Sequence, residues 1–168
     1  MYEPFILYRQ RTGKWEEGYA RYHQAWLIIK NSSERTNGNF IPAIKIFKHL
    51  RSIFGLDSVS FHIECLLFSL PDYLFMGSPA DYITCLLTYI ASNSADSWYE
   101  KVLNTPCGER DIFVEGEWNR KNWEEFHKII SQCAHVANHA CQETDRGNAV
   151  ENWQIILGKE FFPREVSS

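Results

Sequence analysis

The apolar residues of this chain recur at helical spacing in a series of segments, and each segment ends at a polar, glycine or proline break. A segment with one apolar stripe at a period of about 3.6 residues folds as a helix and packs that stripe against its neighbours. Hydrophobic residues make up 45% of the chain and aromatic residues 15%, which is enough for a well-defined core. The pattern therefore predicts a mostly α-helical protein, a helical bundle with a short extended segment at its N-terminus.

The breaks between the apolar segments define the expected helices. Their expected ranges are 19–31, 40–54, 58–69, 79–91, 98–103, 120–142 and 149–157. The expected buried stripe of the first helix consists of Tyr19, Tyr22, Trp26 and Ile29. The expected buried stripe of the second helix consists of Ile44, Phe47, Leu50 and Phe54.

The N-terminal residues differ from the rest and are expected to be extended. Residues 5–8 form a short β-prone run, and residues 11–14 supply a turn before Trp15. A single strand is not stable by itself, so this segment is expected to depend on another sheet. The chain is therefore divided into a strand-like stub, residues 1–15, and a helical domain, residues 16–168.

The charge balance and the cysteines limit the surroundings in which the chain works. There are 17 Lys and Arg against 21 Asp and Glu, a net charge of −4, whereas nucleic-acid binding depends mainly on cations. Direct binding to nucleic acid is therefore not expected. The apolar runs are too short to cross a membrane, and the N-terminus has no secretory pattern. Five widely spaced cysteines are typical of free thiols in a reducing compartment, so we expect a cytoplasmic protein with no membrane contact.

One segment combines four potential metal ligands, Cys133, His135, His139 and Cys141. Zinc prefers such ligands, but at about 100° per residue the histidine pair and the cysteine pair lie on roughly opposite faces of one helix. They do not converge on one ion, so no metal site is expected and ordinary helix contacts are the simpler interpretation. The alternative is a site made by His135 and His139 with a third ligand from elsewhere.

A basic face is expected on the second helix, where Lys45, Lys48 and Arg51 recur every third residue. Such spacing is typical of a solvated helix surface. It also allows an anion site, because a lysine facing residues 58–60 can hold a polyphosphate between ammonium, hydroxyl and free N–H groups. An aromatic ring at Phe61, beside the serine, can stack on a base.

Glu64 lies in an otherwise apolar helical segment. A buried carboxylate needs a partner, so we expect Glu64 to be paired with a lysine or a histidine in a structural role. The alternative is a carboxylate that takes part in function.

Three stretches of the chain carry a family pattern: residues 40–50 (FIPAIKIFKHL), residues 60–66 (SFHIECL) and residues 149–163 (AVENWQIILGKEFFP). They resemble the C-terminal helical half of the oligoadenylate synthase/cyclic GMP-AMP synthase-like nucleotidyltransferases, whose bacterial members are the CD-NTases of anti-phage defence. The positions that fall where this family joins its palm sheet to its helical half are Trp15, His23 and Asn31. The similarity covers nearly the whole chain.

The resemblance implies roles for individual residues. Lys48 matches the helix lysine that contacts the nucleotide triphosphate, Ser60 the serine that also contacts phosphate, and Phe61 the aromatic residue that stacks on a base. Lys45 is a weaker candidate for the same site. The implied ligand is a nucleoside triphosphate.

The chain also departs from this family, whose catalytic palm has a Gly-Ser turn and three carboxylates that hold two Mg²⁺ ions. That set is not in this sequence, so Mg²⁺ is expected only through a palm domain supplied in cis or in trans. We therefore expect the helical substrate-binding half of a nucleotidyltransferase that makes oligonucleotide second messengers, inactive by itself. A fragment, one subunit of a split enzyme and a decayed stand-alone domain all fit this expectation. The alternative is a stand-alone, non-catalytic helical adaptor or nucleotide-sensing module.

Overall fold

The structure, a computed structural model, describes residues 5–9, 14–18, 20–108, 111–113 and 117–161. Within these ranges most of the chain is helical, and the helices form a bundle around one apolar core. The predicted fold class is therefore confirmed. Three parts of the sequence patterns lie outside the described residues, namely residues 11–13 of the expected turn, Tyr19 and residues 162–163.

The described α-helices are α1 (Ala20–Lys30), α2 (Ser33–Thr36), α3 (Phe40–Ile53), α4 (Ser60–Ser69), α5 (Pro79–Ala91), α6 (Ala95–Tyr99), α7 (Arg120–Gln142) and α8 (Arg146–Leu157). Short 3₁₀ helices follow α4 and α8, at Asp72–Phe75 and Lys159–Phe161. The sequence predicted α1, α3, α4, α5 and α7 nearly at these bounds. The single-turn helix α2 was not expected.

Helices α6 and α8 both begin earlier than predicted, because a side chain caps an earlier turn. The Ser94 hydroxyl accepts a hydrogen bond from the Ser97 N–H (3.1 Å) at the start of α6. The Asp145 carboxylate accepts one from the Asn148 N–H (2.9 Å) at the start of α8. Each cap satisfies an N–H group of the first turn that has no partner within the helix, and so sets where the helix starts.

The N-terminal segment forms a hairpin. Strand β1 (Phe5–Arg9) pairs antiparallel with β2 (Lys14–Gly18), with Tyr8 opposite Trp15. The expectation of a lone strand was wrong, because antiparallel strands need only a short connection and the next segment of the same chain supplies the partner. Strand β2 also extends beyond residue 15, where the stub was expected to end. A two-stranded hairpin is at best marginally stable in water, so the dependence on a further sheet stays a prediction.

The core of the bundle is organised around α7, which packs against α5, α6 and α8. Near its start α7 carries Trp123 and Phe126, which are buried together with Trp118 from the preceding loop. The rings of Trp118 and Trp123 meet edge to face, with their centroids 5.0 Å apart. Helix α3 packs against α4 and α8, which sets α3 and α4 side by side.

Helix α1 does not bury the stripe that its spacing predicted. Trp26 and Ile29 are 41% and 46% exposed, whereas Lys30 is 2% exposed. Leu27 packs against the core instead. The prediction was therefore wrong for Trp26 and Ile29, because a pattern of apolar residues assigns a lysine to solvent and here the lysine is the buried residue.

Lys30 is buried together with its partners at the end of α4. Its ammonium donates hydrogen bonds to the carbonyl oxygens of Phe68 (2.8 Å) and Leu70 (2.5 Å) and lies 3.1 Å from Asp72 Oδ1. Burial lowers the pKa of Lys30, although its contact with Asp72 acts in the opposite direction. Three aromatic rings lie 5.2 to 5.6 Å from Nζ, those of Phe40, Phe68 and Phe75. These contacts hold the C-terminal end of α1 against α4.

The apolar stripe predicted for α3 is confirmed for Ile44, Phe47 and Leu50, which are buried. Phe54 is 37% exposed, so the prediction was wrong for this residue. The helix ends at Ile53, and Phe54 therefore does not continue the buried face. The basic residues of α3 lie outside its buried face.

Candidate functional site

Three charged or polar side chains from three helices meet where α1, α3 and α4 come together. Lys48 Nζ, on α3, donates a hydrogen bond to Glu64 Oε1, on α4, at 2.6 Å. His23 Nε2, on α1, lies 2.8 Å from the other carboxylate oxygen, Glu64 Oε2. We call His23, Lys48 and Glu64 the Glu64 cluster. The prediction that Glu64 pairs with a lysine or a histidine is confirmed, and it pairs with both.

The Glu64 cluster is partly shielded from water. The side chains of His23, Glu64 and Lys48 are 13%, 18% and 30% exposed. Burial by itself raises the pKa of Glu64, but the hydrogen bonds from His23 and Lys48 outweigh it, and the net effect is a lowered pKa. Glu64 is therefore ionised at neutral pH, and its carboxylate is the counter-charge of the Lys48 ammonium.

Ser60, the first residue of α4, lies next to a second cation of α3. Arg51 Nη1 donates to Ser60 Oγ and to the carbonyl oxygen of Ser58, both at 3.3 Å. The Ser58 hydroxyl is also buried and has no hydrogen-bond partner among the residues that the structure describes. The start of α4 therefore combines a guanidinium, hydroxyl groups and the N–H groups of a first helical turn.

Phe61 is half-buried and joins the cluster through His23. The centroids of the two rings are 5.0 Å apart, and their planes are tilted by 37°. An aromatic face at this position therefore lies beside the residues that carry the charges of the site.

Lys45 is more loosely associated with the site. It is exposed and lies on α3 one turn before Lys48, the spacing at which helical side chains are neighbours. The structure therefore brings Lys48, Ser60 and Phe61 together around one junction and leaves Lys45 at its edge.

Two features of this junction were not identified from the sequence. One is His23, which entered only as a position where two halves of a family join, and not as a partner of Glu64. The other is the Arg51–Ser60 contact. The spacing of the basic residues on α3 did point to Arg51, but only the packing of α3 on α4 shows which residue it reaches.

The arrangement has the chemistry of an anion site. Lys48 on one side and Arg51 with Ser60 on the other supply two cations and a hydroxyl within one junction of helices. Charge-assisted hydrogen bonds from such groups are the usual means of holding phosphate oxygens. The Lys48 side chain is 30% exposed, so part of it can be reached from solvent.

The described residues do not fit the magnesium site that the family resemblance implies for a palm domain. Within the described ranges no three residues of the types His, Cys, Asp and Glu are grouped so that they could hold a metal ion. On α7, Cys133 is buried whereas His135 and His139 are exposed, with their ring centroids 6.2 Å apart. Two imidazoles alone do not make a complete structural zinc site.

Among the helices that the structure describes, none is long and apolar enough to span a membrane.

Comparison with known proteins identifies the family. No curated protein matches the chain. The profile of the cGAS/DncV-like nucleotidyltransferase C-terminal helical domain matches residues 28–152, which include α3, α4 and the residues Lys48, Ser60 and Phe61. The chain therefore belongs to the family of cGAS/DncV-like nucleotidyltransferase C-terminal helical domains.

Proposed function

We propose that this chain is the helical substrate-binding half of a nucleotidyltransferase that makes oligonucleotide second messengers, and that it holds the triphosphate of the incoming nucleotide. The observation that carries this proposal is the junction of α1, α3 and α4, where Lys48, Ser60 and Phe61 converge with Arg51. Membership of the family gives the reaction class.

The phosphate end of the ligand is assigned to Lys48, Ser60 and Arg51. Lys48 approaches from α3, while Arg51 and the Ser60 hydroxyl lie at the start of α4. A triphosphate carries several negative charges, so two cations increase its binding affinity more than they increase that of a singly charged ligand. Lys45, exposed one turn before Lys48, adds a longer-range attraction at the edge of the site.

The base of the nucleotide is assigned to Phe61. Its ring lies beside His23 and is half-buried, so one part of it packs within the protein while another part remains accessible. Stacking on an aromatic ring is tolerant of the identity of the base and contributes about 1–3 kcal/mol. Phe61 therefore supports binding of a nucleotide without choosing between ATP and GTP.

Catalysis is assigned to a palm domain supplied in cis or in trans, and the chain is proposed to be inactive without it. The Mg²⁺ ions held by such a palm would activate the attacking hydroxyl and stabilise the charge on the reacting phosphate. The residues of this chain bind and orient the nucleotide. Trp26 and Ile29, which lie three residues apart on α1, leave an exposed apolar face on the helix that follows the hairpin, and this face is the proposed contact with the palm.

The protein is proposed to work in the cytoplasm. Its oligonucleotide product is proposed to act as a signal in antiviral defence, as in the bacterial members of the family that the sequence resembles. The five cysteines lie in the described part of the chain and form no disulfide there, which supports a reducing compartment. The net charge of −4 supports a nucleotide rather than a nucleic acid as the ligand of this half.

The test is to supply a palm domain of this family, fused or as a separate chain, and to measure product formation from ATP and GTP. Lys48→Ala is expected to lower the rate about 10- to 100-fold, because a hydrogen bond to a charged group contributes about 1.5–3 kcal/mol. Lys128→Ala, which removes an exposed lysine of α7, is the matched control and is expected to retain the rate. A Lys48→Ala enzyme as active as the wild type would contradict the assignment of Lys48.

Measurements of nucleotide binding and of protein partners, made beside this experiment, separate the alternative of a non-catalytic module. Tight binding of ATP or GTP by the chain without Mg²⁺, and no product with any palm, would favour a nucleotide sensor. A stable protein partner without nucleotide binding would favour an adaptor, and the exposed face of α1 would be its first candidate surface.

A further inference from the structure

We propose that Glu64 is an internal counter-anion that competes with the triphosphate for Lys48, so that the ligand binds by exchanging with the Glu64 carboxylate. This inference rests on the proposed function and adds a residue that controls its affinity. Glu64 is a positioning residue in this scheme, since it acts through Lys48 and not on the nucleotide itself.

The first step of the argument is that Lys48 already has an anionic partner. The Lys48 ammonium lies 2.6 Å from Glu64 Oε1, and the ionised state of Glu64 is favoured by this contact. A phosphate oxygen that takes a short hydrogen bond from the same ammonium has to share it with the carboxylate or replace it. Two anions close together repel each other, so replacement is the lower-energy arrangement.

The second step is that the carboxylate keeps a partner when Lys48 leaves. His23 Nε2 lies 2.8 Å from Glu64 Oε2, on the oxygen that Lys48 does not use. Since a buried carboxylate without a partner is costly, the His23 contact is what makes the exchange possible. The other cation that the structure shows at this junction, Arg51, contacts Ser60 and Ser58 and does not bridge to Glu64.

The third step is that the exchange is within reach of an ordinary ligand. The Lys48 side chain is 30% exposed and that of Glu64 is 18% exposed, so water screens their attraction. Fully exposed ion pairs stabilise by about a factor of five or less in an equilibrium constant, and this partly shielded pair is expected to lie near the upper end of that range. Competition with Glu64 therefore lowers the affinity of a triphosphate by about this factor. The ligand still binds, but more weakly than it would to a lysine without an anionic partner.

The experiment measures the affinity of the full chain for inorganic tripolyphosphate by titration calorimetry. Four proteins form a double-mutant cycle: the wild type, Glu64→Gln, Lys48→Met and the double variant. Glu64→Gln keeps the shape of the side chain and removes its charge, and it is expected to bind about fivefold more tightly. Lys48→Met is expected to bind at least about tenfold more weakly. In the double variant the gain from Glu64→Gln is expected to disappear.

The controls use residues of the same types on α7. Glu125→Gln and Lys128→Met remove one exposed charge each, away from the junction, and are expected to leave the affinity within about twofold of the wild type. They show how much of any change comes from net charge alone. Glu64→Asp, which withdraws the carboxylate by one methylene group, is expected to give an intermediate gain and keeps the test valid if the glutamine variant does not fold.

The outcomes separate the two proposals. If Lys48→Met weakens binding while Glu64→Gln and Glu64→Asp bind no more tightly than the wild type, competition is overturned and the triphosphate site stands. If the gain from Glu64→Gln persists beside Lys48→Met, general repulsion explains it and competition is again overturned. If neither the wild type nor Glu64→Gln binds tripolyphosphate or ATP, the triphosphate site itself fails.

Discussion

Replacing Lys30 by methionine should destabilise the fold by about 3 kcal/mol. Methionine fills nearly the same volume, so the main loss is polar. The carbonyl oxygens of Phe68 and Leu70 lose their donor, and each buried acceptor without a partner costs about 1–3 kcal/mol. The loss of the Lys30 contact costs Asp72 less than it costs the two carbonyl oxygens, because Arg35 Nε still donates a hydrogen bond to Asp72 Oδ2 at 2.6 Å. The variant recovers part of this cost, since no ammonium group has to be desolvated on folding.

The measurement is the free energy of unfolding from urea titrations of the wild type, Lys30→Met and a control, Lys128→Met. Lys128 is exposed on α7, and its replacement is expected to change stability by no more than about 0.5 kcal/mol. A loss smaller than about 1 kcal/mol for Lys30→Met would refute the reasoning. It would mean that the desolvation cost of the ammonium cancels its hydrogen bonds and its contacts with the surrounding rings.

Two further predictions concern the stability of the fold at acidic pH and the contribution of a helix cap to stability. Because the pKa of Glu64 is lowered on folding, its carboxylate stabilises the fold above the ordinary value of 4.5, and this contribution is lost as the pH falls through the lowered value. The unfolding free energy of Glu64→Gln should therefore fall less steeply than that of the wild type between about pH 5 and pH 3, and parallel curves would contradict the assignment. Asp145→Ala removes the cap of α8 and should cost about 1 kcal/mol in thermal or urea unfolding, whereas Glu151→Gln, exposed on the same helix, should cost almost nothing. Equal stability of these two variants would show that α8 does not depend on its cap.

The helices of this protein were predictable because their signals are local. Apolar spacing and the breaks at glycine, proline and polar runs predicted α3, α5 and α7 nearly to the residue. The caps of α6 and α8 are also local, but serine and aspartate are common in loops, and the polar residues before these two helices were therefore assigned to breaks in the sequence analysis.

The candidate site was predictable in part. The basic spacing of α3 and the serine and phenylalanine that open α4 pointed to one junction, where Arg51 contacts Ser60 and Phe61 contacts His23. That this junction binds a nucleotide stays a prediction. His23 could not be assigned to Glu64 in the same way, because 41 residues separate them and only the packing of α1 on α4 brings them together. Its ring also contacts Phe61, so the partnership spans both ends of the proposed ligand site.

The sequence by itself determined the helical class, most helix bounds and the family, since all three depend on patterns read within short stretches of chain. The tertiary structure decided which face of α1 is buried, with Lys30 inside and Trp26 exposed, and which partners the charged residues of α3 take. The physical reason is that the energy of a charged group depends on the donors and acceptors around it. For Lys30 and Lys48 those groups are supplied by α4 and the turn that follows it, which are distant in sequence.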